Sequence, residues 1–274
     1  MQVEDIMKTL RFALFILIAL AMAVPAFAQP TRLYDKDVKA LLEQSKQSFE
    51  KFWDALDGQF KNSVFKGPDG EFSVKKIGED YKKTIELAKE RFTDSYSAST
   101  EIAAVLRDGV RPNSFVASQP ASFKGASEWA AHAAHIKALA GEYGAVFPPM
   151  AGQSVRRYTD KEVKAATAGV EQAAKALASA FDNALKQDKA MAAPARQAQV
   201  AQVKALGESA KVLGSRIGDT QPASAQYTAL FDQATKVKAT LTGSSAAAAT
   251  QAGWAGISKQ LSMIATAFHT TWTE

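Results

Sequence analysis

Val38-Lys39-Ala40-Leu41-Leu42-Glu43-Gln44-Ser45-Lys46-Gln47-Ser48-Phe49-Glu50-Lys51-Phe52-Trp53-Asp54-Ala55-Leu56 sets the reading of the whole chain. Val38, Leu42, Ser45, Phe49, Phe52 and Leu56 recur at alternating intervals of four and three, which stacks them on one stripe of an α-helix. Lys39, Glu43, Lys46, Glu50 and Asp54 fall elsewhere around the cylinder. Asp35, just upstream, reads as the N-cap.

The same periodicity continues outward. After Gly58 comes a break, residues 61–73, in which Gly67-Pro68-Asp69-Gly70 must turn the chain. Val64-Phe65 and Glu71-Phe72 flank that turn, so a small hairpin-like projection is predicted there. Helices follow from about Ser73 to Phe92 and from about Ser97 to Gly109. Arg111 to Gln119 reads as loop, and Pro120 stands where a first helical turn tolerates it, opening a helix through Trp129, Ile136, Leu139 and Tyr143.

Gly144 to Gly152, with Pro148-Pro149, interrupts the pattern, which then restarts. Thr159 and Glu162 have capping-box spacing ahead of a long helix through Val163, Val170, Leu177, Phe181 and Leu185. Pro194 and Pro222 open two more, and the last carries Trp254, Ile257, Leu261, Ile264, Phe268 and Trp272. The expected fold is all-α: two antiparallel, up-down helical bundles of about four helices each. The first covers 29–147, a proline-containing linker 148–158, and an alanine-rich second bundle 159–274.

The halves echo one another. Tyr34-Asp35-Lys36-Asp37-Val38-Lys39-Ala40 returns as Tyr158-Thr159-Asp160-Lys161-Glu162-Val163-Lys164-Ala165. Phe52-Trp53-Asp54-Ala55-Leu56 returns as Phe181-Asp182-Asn183-Ala184-Leu185, one helical turn out of step, and Gln119-Pro120-Ala121-Ser122 as Gln221-Pro222-Ala223-Ser224. Internal duplication and convergence of alanine-rich helices on similar words both account for this.

Residues 1–28 have the layout of a Sec signal peptide. Lys8 and Arg11 precede a 13-residue apolar run, Phe12 to Val24, and Pro25 leads into Ala26-Phe27-Ala28. Cleavage is expected between Ala28 and Gln29. The run falls short of the roughly 20 apolar residues a bilayer span needs. The expected location is therefore periplasmic or secreted, with no transmembrane anchor after cleavage. Translation from Met7 rather than Met1 would remove Glu4 and Asp5, which sit oddly ahead of a signal sequence.

The chain contains no cysteine, which removes disulfides, thiolate nucleophiles and cysteine metal ligands together. The net charge of +5 lies in the second half: residues 29–147 carry 17 basic and 17 acidic groups, residues 148–274 carry 14 and 9. These cations are spread singly among alanines, not clustered as phosphate binding requires, so no nucleic-acid partner is expected.

Site chemistry is sparse. No Gly-x-Ser-x-Gly elbow or phosphate loop occurs, and no cofactor or enzymatic activity is expected. His132 and His135, three apart on one predicted helix, are the candidate metal ligands. Phe65, Phe72, Phe115 and Phe123 lie in segments with few predicted packing partners, which makes them candidate partner-binding residues.

The ending Ala267-Phe268-His269-Thr270-Thr271-Trp272 resembles the last helix of cytochrome-c-prime-like haem proteins, in which a histidine precedes an aromatic by three. The resemblance implies a cofactor-binding role for His269, but Ala265 and Phe268 stand where the haem-attaching cysteines would be. The two-bundle plan behind a signal peptide is similar to that of imelysin-like periplasmic proteins. Their Gly-x-His-x-x-Glu motif finds a match only in His132, with Ala130 and His135 in place of the glycine and glutamate. The expected function is a non-enzymatic interaction, scaffold or binding protein acting on an unidentified periplasmic protein or envelope component. The alternative is a haem- or metal-binding bundle.

Overall fold

A computed structural model of the chain describes residues 30–67, 70–120 and 122–273. The signal sequence expected over 1–28 lies outside them, as do Pro68 and Asp69 of the predicted turn. Helix dominates: α1 (Asp35–Ala55), a single turn α2 (Gly58–Lys61), α3 (Val74–Arg91), α4 (Ser99–Asp108), α5 (Val110–Ala117), α6 (Ala126–Glu142), α7 (Asp160–Leu185), α8 (Ala193–Arg216), α9 (Ser224–Thr242) and α10 (Ala247–Ala267). Among the described residues no helix is long and apolar enough to cross a membrane.

The predicted stripe of α1 is buried as a unit, with Val38, Leu42, Ser45, Phe49 and Phe52 all inside. Its N-terminus differs from expectation. Tyr34 is the N-cap, Asp37 Oδ2 accepts from the Tyr34 N–H, and Asp35 is already helical. The helix ends where Leu56 turns extended, and Asp57 then caps α2 through the Phe60 N–H at 3.0 Å. The hairpin forms as β1 (Val64–Gly67) paired antiparallel with β2 (Gly70–Ser73), bringing Phe65 opposite Phe72.

Two boundaries depart from the sequence reading. Residues 111–117 are helix α5 rather than loop. Pro112 sits in its first turn, where the missing N–H has no intrahelical partner to lose, so the proline is compatible with helix. Conversely, the helix expected from Pro120 starts only at Ala126. Gly125 precedes it at φ 103°, a conformation open to glycine, and so delays the start.

Buried apolar side chains form two clusters. One gathers Val38 through Phe147 from α1, α3, α4, α5 and α6 with the segments between them; the other gathers Val163 through Phe268 from α7 to α10. The packing order is the same in both. The first long helix meets the second and the last, α1 with α3 and α6, α7 with α8 and α10. The second meets the third, α3 with α4 and α8 with α9.

The correspondence runs down to residues. Arg32, Asp35, Lys36, Val38, Lys39 and Ala40 match Arg157, Asp160, Lys161, Val163, Lys164 and Ala165 without a gap, Asp35 and Asp160 standing 125 positions apart. In this register Val38, Leu41, Leu42, Ser45, Phe49, Phe52 and Leu56 fall on Val163, Ala166, Thr167, Val170, Ala174, Leu177 and Phe181, and every one of these is buried. The one-turn shift read from sequence is therefore replaced by a register that pairs Leu56, not Phe52, with Phe181. The Gln-Pro-Ala-Ser echo does not share this relation, since residues 119–122 precede the fourth long helix of their unit and 221–224 the third of theirs.

Candidate functional site

Four charged side chains sit where the units meet. Arg157 Nη1 donates to Asp35 Oδ1 at 2.6 Å, and Arg32 Nη2 pairs with Asp160 Oδ1. The two arginine side chains are 1 and 2% exposed, the aspartates 8 and 15%. Each arginine also donates to a carbonyl of the other unit, Arg157 to Leu33 at 2.8 Å and Arg32 to Tyr158 at 3.0 Å. Burial, then the neighbouring Arg157, pull the Arg32 guanidinium below its ordinary pKa, while Asp160 and Asp35 oppose them. Nε of both arginines is buried with no partner among the described residues.

Tyr34 and Glu142 extend this junction. The Tyr34 hydroxyl donates to the Gln221 carbonyl at 2.9 Å and belongs to the second core, although it caps a helix of the first. Glu142, at the end of α6, accepts from the Leu33 N–H at 3.0 Å and lies 3.7 Å from His269 Nε2. His269 is not on the last helix. Phe268 caps α10, His269 turns to φ 56°, and the Thr270 N–H closes back on the Ala265 carbonyl at 3.0 Å. The helical histidine-to-aromatic spacing on which the haem resemblance rested is thus absent from the fold.

A second polar cluster lies inside the first unit. His132 is fully buried between Phe49, Tyr81 and Trp129, with ring centroids 5.1 to 5.6 Å away. Its Nδ1 is 3.1 Å from the Ser45 carbonyl, an obligate acceptor, so Nδ1 carries the proton. Nε2 then accepts from the Tyr81 hydroxyl at 3.0 Å. Ser48 Oγ lies 3.1 Å from both His132 Nδ1 and His135 Nδ1. Desolvation, only partly offset by the Ser45 carbonyl, lowers the His132 pKa to about 4, and burial raises that of Tyr81. The structure thus brings the two candidate ligands together on Ser48, with both nitrogens of His132 engaged. Among the described residues no group of three or more potential ligands of the His, Cys, Asp or Glu type gathers.

Of the four candidate phenylalanines, Phe115 and Phe123 fold inward and Phe65 packs against them. Phe60, Phe123, Phe115 and Phe65 form a chain of edge-on contacts with centroids 5.0 to 5.8 Å apart. Phe115 and Phe123 are 5 and 6% exposed, and so belong to the core instead of a surface. Phe65 is half-buried against Phe115, and Phe72 lies under the Arg111 guanidinium at 4.3 Å.

Between β2, α3 and the α4–α5 corner lies an open cleft of about 750 Å³, with Tyr81 at its base. Its charges are largely paired among themselves, Lys76 with Asp80 at 3.5 Å and Arg107 with Asp108 at 3.0 Å.

No family model, curated protein or solved structure matches the chain.

The sequence reading passed over Arg32, Arg157 and Asp160, although the signal was present. Arg-x-x-Asp-Lys-x-Val-Lys-Ala occurs twice, each time at the start of a unit's first long helix. Tyr81 is buried on α3, but its hydroxyl partner His132 lies across the unit and leaves no mark in local spacing.

Proposed function

We propose that the chain is an exported, periplasmic or secreted interaction protein, without catalytic activity of its own, that presents two helical bundles as one rigid body. The observation that carries this reading is the buried Arg32–Asp160 and Arg157–Asp35 quartet. Isolated buried charges are expensive, and paired ones contribute more to specific geometry than to net stability. A chain that needed only to tether two bundles would need no such device. Reciprocal contacts are the mark of a two-fold relation between like units, which supports an up-down bundle duplicated and fused within one chain.

The partner-binding surface of this reading is the cleft beside the hairpin, where Arg111 is stacked on the half-buried Phe72. A photo-crosslinker placed at Lys76 or Arg111 of the full chain in its native envelope should give one discrete adduct. The same group at exposed Val212 should not. Indistinguishable adduct patterns at the three positions would reject the cleft, and N-terminal sequencing of exported protein should begin at Gln29.

The haem- or metal-carrying alternative faces a specific cost. To ligate, His132 would have to give up a hydrogen bond to Tyr81 or to Ser45 in a site that offers no third ligand among the described residues. A Soret band, or stoichiometric metal in the purified protein, would favour it over the reading above.

A further inference from the structure

A second groove lies between the segment 156–158 and the outer face of α10, and its volume is about 660 Å³. It differs from the hairpin cleft in charge. Its cations are Arg156 and Lys259, its lining holds no acidic residue, and among the described residues neither cation has a carboxylate within ion-pair distance. The excess positive charge of the second half thus has a local expression here.

The side chains around those cations are of two kinds. Tyr158 and Trp272 are half-buried aromatics. Trp272 is held in place by its indole N–H, which donates to the buried Ser258 Oγ at 2.8 Å, and by an edge-on contact with Phe231 at 5.4 Å. Arg156 lies over the Tyr158 ring at 4.5 Å. Stacking uses the face of a guanidinium and leaves its N–H donors in the plane, aimed sideways, where they match a carboxylate or phosphate. Exposed Ser262 and Thr266 add hydroxyls one turn apart on α10.

We propose that this groove binds an anionic saccharide. Tyr158 and Trp272 offer apolar ring surface to a sugar, the Ser262 and Thr266 hydroxyls exchange hydrogen bonds with ring hydroxyls, and the two cations take the acid group. A purely apolar ligand would leave Arg156 and Lys259 unused. A simple polyanion would make no use of Tyr158 and Trp272. The volume lies in the range of small-ligand sites. This inference is independent of the partner surface assigned to the hairpin cleft.

The test uses the full mature chain and tryptophan fluorescence with calorimetry. Tetragalacturonate and glucose 6-phosphate separate a carboxylate from a phosphate source of the charge. Maltotetraose supplies sugar without charge, and polyglutamate charge without sugar. Saturable binding of at least one anionic sugar is expected, weakened about tenfold or more by Arg156→Ala and by Lys259→Ala and unaffected by Lys204→Ala. All three positions are exposed, so the variants should fold, and circular dichroism checks this. Failure of both anionic sugars to bind would overturn the proposal. So would equal binding of polyglutamate, equal binding of maltotetraose, or unchanged affinity in the two groove variants.

Discussion

The backbone N–H of Asp35 donates to Oδ2 of Asp160 at 2.9 Å, and the backbone N–H of Asp160 donates to Oδ2 of Asp35 at 2.9 Å. Each aspartate therefore caps the other's helix. The first turn of any helix has N–H groups with no internal acceptor and a partial positive charge. Here each of those ends receives a carboxylate from the opposite unit, and each carboxylate is balanced by the arginine that lies three residues before its partner. Asp35 does serve as an N-terminal cap, as its sequence position suggests, but for α7 instead of α1.

Asp160→Ala removes an ion pair, a cap and the compensation of a buried Arg32 in one step. It should destabilise the protein by about 3–5 kcal/mol in urea melts, because a buried charge is left unpaired. Lys161→Ala, next door and exposed, should lie within about 0.5 kcal/mol of the parent. A double-mutant cycle on Asp35 and Arg157 should show strong coupling. Additive effects would mean that the quartet does not act as a unit.

Helix content was legible because burial in this chain follows local spacing. Val38 to Leu56 predicted their own inward face, and the Thr159–Glu162 capping box forms as spaced, with the Thr159 N–H on Glu162 Oε2 at 2.7 Å and the Glu162 N–H on Thr159 Oγ1 at 3.2 Å. The quartet was legible only as a repeated word, Arg-x-x-Asp-Lys-x-Val-Lys-Ala, and not as a contact. Its four members look like ordinary solvated helix-start charges until two distant segments meet. The burial of Phe115 and Phe123 was not legible for the same reason. Phe115 and Phe123 have no local packing partners in sequence, and acquire them only when the hairpin brings in Phe65 and the α2 turn brings in Phe60.

Phe181 is fully buried at the position that corresponds to Leu56, near the far end of α7. In an alanine-rich core, neighbours are short and relax poorly into a void. Phe181→Ala should therefore cost about 3–5 kcal/mol, read from chemical denaturation. Phe181→Leu should recover most of it by keeping volume. No loss of stability in the alanine variant would remove Phe181 from the core.

Gly78 on α3 sits under the indole of Trp53, and a Cβ there would come within 2.1 Å of that ring. Replacing a helical glycine by alanine otherwise gains up to about 1 kcal/mol. The ring, stacked on Phe49 at 6.3 Å, would have to move, and overpacking typically costs about 1–3 kcal/mol. The clash should win. Gly78→Ala is expected to be destabilising and to shift tryptophan emission. In a Trp53→Ala background the same substitution should become stabilising, and a destabilising effect in both backgrounds would place the conflict elsewhere.

His132 makes the fold sensitive to acid in a defined window. Its pKa falls from an ordinary 6.5 to about 4 in the folded chain, chiefly because burial disfavours the imidazolium. The unfolded chain then binds a proton that the native state refuses, so stability must drop as pH falls from about 6.5 and level off near 4. The full effect is roughly 3 kcal/mol. Carboxylates also titrate near the lower end, so the informative quantity is the difference between parent and His132→Gln. That variant should be less stable at neutral pH, having lost at least one of the bonds to Tyr81 and Ser45, yet the gap should narrow steadily between pH 6.5 and 4. A constant gap across that range would mean that His132 is protonated in the native state, and that the Nδ1–H to Ser45, Tyr81 O–H to Nε2 arrangement is incorrect.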